Sequence, residues 1–67
     1  MLDFRKVGKA YCVNVKDGRF WLKRNQSNRW ELIWEHEDNF GNRAWSVLGK
    51  YTNLAQAKSE ATALDAN

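Results

Sequence analysis

Apolar and polar positions alternate with a period of two along most of this 67-residue chain and give way to a longer period only near its end. Residues 9–16, KAYCVNVK, set Tyr11, Val13 and Val15 against Ala10, Cys12 and Asn14, the pattern of a half-buried strand. Asp17-Gly18 follows, a strong signal for a two-residue type I′ hairpin turn, in which both central residues take positive φ. With Lys16 and Arg19 flanking that turn, the expected register pairs Val15 with Phe20 and Val13 with Leu22. A second hairpin joins residues 19–24 (RFWLKR) to 29–37 (RWELIWEHE) through NQSN. The register that satisfies both faces sets Leu22 against Leu32, Phe20 against Trp34 and Arg24 near Trp30. It also sets Arg19 against Glu35, Trp21 against Ile33 and Lys23 against Glu31. Opposite charges facing across a ladder contribute about 0.2–1 kcal/mol each, and slipping toward the turn would bring Lys23 against Arg29 instead.

After the turn DNFGN, strict alternation in RAWSVLG (43–49) assigns Trp45 and Val47 to the apolar face and Ala44, Ser46 and Leu48 to the other. Thr52 or Asn53 then caps a helix over LAQAKSEATALDA, in which Leu54, Ala57, Ala61 and Leu64 form a narrow apolar stripe. The expected fold is α+β: an antiparallel meander of three to four strands with one C-terminal helix packed on one face, its alanines sitting close against Trp34 and Trp45. The other face is left open. With no proline, repeat or low-complexity tract, residues 1–67 read as a single domain, residues 1–8 being a flexible or edge segment.

A chain this short buries only about 60% of the surface its unfolded form exposes, so its core must be efficient. Four Trp, three Phe and two Tyr supply that efficiency. A lone cysteine, Cys12, cannot close an internal disulfide and fits a reducing compartment, and the first eleven residues hold no apolar run. The expectation is a soluble, intracellular, cytoplasmic protein with no membrane partner. The net charge of +3 is unevenly spread. Residues 1–30 carry eight Lys/Arg against two Asp, a balance of +6, and residues 31–67 carry three against six, a balance of −3. A basic half of this kind suits an anionic partner, although charged residues are also what any small domain sets on its surface.

The stretch LGKYTNLAQAKSEATALDA (48–66) resembles the close of the ethylene-response-factor type of DNA-binding domain and of the arm-binding domains of phage-type integrases. The resemblance is carried by Leu48, Gly49, Tyr51, Ala55, Ala57 and Ala61, with Asn53 one place from where a Thr is expected. It covers the last third of the chain and rests on residues of structural type. It implies a small sheet closed by an alanine-rich helix, with DNA held on the sheet face away from the helix. The positions that look like the family's Arg and Trp contacts are Arg19, Trp21 and Lys23, with Lys16 across the first turn. Glu31 and Glu35 on the same face depart from that pattern, because a carboxylate repels phosphate.

Catalytic chemistry finds little support. His36 lies between Glu35 and Glu37 in sequence but on the opposite face from both, and Cys12 and His36 lack further metal ligands at recognisable spacing. Asp38, Asn39 and Gly41 form a turn rather than a calcium loop. We expect no enzyme, cofactor or metal. Trp30, Trp34 and Trp45 read as core, whereas Trp21 is a surface aromatic, either packed under the stems of Arg19 and Lys23 or used as a binding anchor.

Two binding functions remain open. In one, double-stranded DNA is held by Lys16, Arg19, Lys23, Arg24 and Arg29, with Trp21 against the bases. In the other, a small viral-type inhibitor or adaptor presents Trp21, Ile33, Leu48 and Cys12 to a host or partner protein. A homodimer through an exposed edge strand, 9–16 or 43–49, is a further possibility.

Overall fold

The computed structural model describes residues 2–66. Five strands, β1 (Arg5–Val7), β2 (Ala10–Val15), β3 (Gly18–Arg24), β4 (Trp30–Glu37) and β5 (Arg43–Tyr51), form one antiparallel meander in chain order, followed by helix α1 (Leu54–Ala66). The α+β class and the C-terminal helix match the expectation, and the strand count exceeds it. The additional strand, β1, pairs Arg5 with Cys12 and Val7 with Ala10 through a turn at Gly8-Lys9. Gly8 has a φ of 63°, which suits the first central residue of a type II′ turn. Three residues, RKV, offer too short an alternation to announce a strand. The N-terminal segment is thus an edge strand, and residues 9–16 lie inside the sheet rather than at its rim.

The β3–β4 register agrees with the sequence at every expected pair, from Arg19–Glu35 to Arg24–Trp30. The β2–β3 register does not. Val13 pairs with Phe20 and Tyr11 with Leu22, two residues away from the expected alignment, and the loop residues are Lys16 and Asp17. Positive φ falls on Gly18 alone in this turn, at 133°. A slip of two keeps every side chain on its own face, so alternation alone cannot discriminate between the registers. Two contacts fix the observed one. Trp34 Nε1–H donates to the carbonyl of Asp17 at 3.1 Å, and Gly18 lies so close to the backbone of Glu35 that a Cβ would overlap its carbonyl oxygen.

Strand β5 carries the largest correction. Its ladder with β4 is irregular at Leu32/Ile33, where Gly49 pairs with Leu32 and Val47 with Ile33, leaving Leu48 as an extra residue. This β-bulge reverses the alternation of everything before it. Trp45 stands opposite Glu35 and Val47 opposite Ile33, so both lie on the helix-free face, 62% and 56% exposed, and not in the core.

The core lies between the sheet and α1. Phe20, Leu22, Leu32, Ala57 and Ala61 are buried there, with Tyr11, Val13, Val15, Trp30, Trp34, Tyr51 and Leu54 packed around them. Asn53 is the helix cap: its Oδ1 accepts from the Gln56 amide at 2.7 Å. Ala57 and Ala61 are fully buried as their small size permits, while Leu64, expected in the stripe, is exposed near the last turn. The N-terminal segment also covers the core. Leu2 and Phe4 pack on it, and the Leu2 amide donates to Thr62 Oγ1 at 3.2 Å. No helix among the described residues is long and apolar enough to cross a membrane.

Candidate functional site

The helix-free face is built by alternate residues of all five strands. Arg5 and Val7 come from β1, Cys12 and Asn14 from β2, and Arg19, Trp21 and Lys23 from β3. Glu31, Ile33, Glu35 and Glu37 come from β4, and Arg43, Trp45, Val47 and Lys50 from β5. Its five cations and three carboxylates give 5 − 3 = +2.

Glu35 organises the centre of this face. Trp21 Nε1–H donates to its Oε1 at 2.9 Å, Arg43 lies 3.2 Å from its Oε2 and Arg19 Nε lies 3.8 Å from the same oxygen. The carboxyl is held below its ordinary value of 4.5, first by the Trp21 hydrogen bond. Partial burial opposes that shift, while the charges of Arg43 and Arg19 and the Trp45 indole reinforce it. Glu35 is therefore an anion of the helix-free face, covered and satisfied by its neighbours.

Glu31 also has polar partners. It accepts from Asn25 Nδ2 at 3.1 Å and lies 3.9 Å from Lys50 Nζ. Lys23, directly opposite Glu31 in the ladder, instead places its ammonium 5.5 Å from the centre of the Trp21 ring. The two glutamates that count against a polyanion partner are thus each met by a cation of β5. Strict alternation puts Arg43 on the helix side with Trp45 and Val47, so the bulge hides its role, while Lys50 lies past the 43–49 strand that the sequence announces.

The other expected contacts are dispersed. Arg19, Trp21, Lys23 and Ile33 share the face. Lys16 is exposed in the β2–β3 turn, and Arg29 is exposed at the other end of the sheet, in a loop where Asn25 Oδ1 accepts from the amides of Ser27 and Arg29. Arg24 belongs to the helix side, opposite Trp30, with its guanidinium 5.8 Å from that ring. Leu48 sits exposed at the bulge of the outer strand, while Cys12 is buried between Arg5 and Trp21 in the ladder. Trp45 and Val47 occupy surface places that alternation had assigned to the core, and together with Trp21 and Ile33 they form one apolar strip across β3, β4 and β5.

His36 has a structural setting on the opposite side. Its ring stacks on Trp34 at 3.8 Å between centroids and its Nε2 lies 3.1 Å from Ser46 Oγ. In the β4–β5 loop, Asp38 Oδ1 accepts from the amides of Phe40 and Asn42 at 2.8 and 2.9 Å, an Asx-type turn that leaves Phe40 at an exposed tip. Among the described residues no three His, Cys, Asp or Glu side chains gather as metal ligands. Comparison with protein-family models, with curated proteins and with solved structures finds no match.

Proposed function

We propose that this protein is a non-catalytic module that binds double-stranded DNA through the helix-free face of its sheet. The observation that carries the reading is the pairing of two surface tryptophans, Trp21 and Trp45, with the cations Arg19, Lys23, Arg43 and Lys50 around glutamates that are already satisfied. Dimensions support it. Strands β3 to β5 span roughly 10 Å at a spacing of about 4.8 Å, narrow enough for a major groove of about 12 Å. The cations would meet phosphates and base edges, and the tryptophans and Val47 would meet apolar base surface.

Four to five phosphate contacts predict that affinity for a random duplex falls about 10²–10³-fold between 50 and 200 mM salt. Arg19→Glu combined with Lys23→Glu should abolish binding. Absent or salt-insensitive binding would sink the reading.

A second reading is favoured by the apolar strip of exposed Trp45 and Val47 and half-buried Ile33 and Trp21 within charges of both signs, with Phe40 near one end of β5: a protein-binding inhibitor or adaptor. On this reading a partner is captured from nuclease-treated lysate at high salt and is lost with Trp45→Ala. Capture that nuclease abolishes rejects it.

A further inference from the structure

Where the β1–β2 turn meets the end of β3, Lys6, Lys9, Lys23 and Arg24 line a cleft of about 520 Å³ together with Tyr11 and Trp30. Among the described residues no acidic side chain lines it. None of these four cations forms an ion pair with a described residue, and Glu31, across the ladder from Lys23, is engaged by Lys50 and Asn25. Four uncompensated like charges around one hollow raise its potential and favour an anion there.

Two of these four cations, Lys23 and Arg24, are also restrained by aromatic rings. The Arg24 guanidinium stands over Trp30, Lys23 over Trp21, and Lys58 of α1 lies 4.8 Å from the centre of the Tyr11 ring, adding a fifth charge beside the cleft. Side chains so restrained lose less freedom when a ligand arrives. Gly8, between Lys6 and Lys9, has open space around it, so a ligand can approach the turn backbone.

We propose that this cleft is a phosphate-binding site, and that its ligand is a backbone phosphate of the same duplex held on the helix-free face. The second half rests on the DNA reading; the first does not. Lys23 joins the two sites, since it lines the cleft and stands over Trp21. Five strands set roughly 19 Å between the outermost ones, more than a major groove of about 12 Å admits, so with β3 to β5 in the groove the β1–β2 hairpin lies at the phosphate ridge. There the cleft, whose Lys6, Tyr11, Arg24 and Trp30 belong to the helix side, is reached around the strand ends past Lys23.

The test titrates inorganic pyrophosphate into isotope-labelled protein at low salt, beside sodium chloride at matched ionic strength. Saturable shifts of the Gly8 and Lys9 amides and the Trp30 indole N–H are expected, reduced several-fold in Lys6→Gln/Lys9→Gln and unchanged in Trp45→Ala. Both lysines are exposed, so the double variant should fold normally, and Lys9→Gln alone serves if it does not.

With duplex DNA, the double variant should lower the magnitude of the salt slope by about 0.9, for the one phosphate no longer neutralised. Trp45→Ala should weaken binding without changing that slope. Shifts that are absent, matched by sodium chloride or insensitive to the glutamines overturn the phosphate site. Pyrophosphate binding without duplex binding upholds the site and rejects the DNA reading. Duplex binding with an unchanged slope overturns the assignment to the backbone.

Discussion

A Cβ added at Gly18 would fall on the carbonyl oxygen of Glu35, at a φ of 133° that L side chains rarely adopt. Neither group is the loose end of a side chain, so the strain has no cheap relief. Gly18→Ala should destabilise by about 2–4 kcal/mol in urea unfolding, whereas Gly8→Ala, with positive φ but open space, should cost only about 1 kcal/mol. Glu35 provides a second test at this scale. Its folded carboxyl binds a proton less readily than its unfolded one, so the stability it contributes is present above the ordinary value of 4.5 and is lost as pH falls through the depressed folded value. Glu35→Gln should therefore be less stable than the parent near neutrality, with the difference shrinking as the solution is acidified; a difference independent of pH would reject the charge network as its cause.

At the scale of elements, legibility follows the number of independent constraints. The β3–β4 pairing is readable because an apolar ladder on one face and Arg19–Glu35 and Lys23–Glu31 on the other admit a common register. The β2–β3 pairing lacks such a check, since a shift of two keeps Tyr11, Val13 and Val15 inward, and the indole-to-carbonyl bond from Trp34 that fixes it comes from a third strand. In β5, strict alternation makes no allowance for an extra residue, so it places Trp45 in the core and hides Arg43, Trp45 and Val47 from the candidate site. The helix is legible from its cap and stripe. With only Ala57 and Ala61 fully buried, α1 depends on that cap, and Asn53→Ala should cost about 1 kcal/mol, lowering the thermal midpoint by roughly 4–8 °C.

The whole molecule separates stability from its surface. The core, α1 and the Leu2–Phe4 segment occupy one side of the sheet, and the tryptophan-rich strip occupies the other. Trp45→Ala should accordingly leave stability within about 0.5 kcal/mol, as for surface positions generally, while Trp34→Ala, which removes core packing and the bond to Asp17, should cost about 3 kcal/mol. Comparable costs at both positions would contradict this division. Strand β5 is also the longest rim of the sheet, nine residues with one side of its backbone unpaired. A straight rim of that length invites other chains to add strands without limit, and Leu48 interrupts it. Deleting Leu48 restores a regular ladder with Trp45 and Val47 still outward, and this variant should self-associate more readily than the parent in light scattering at several concentrations.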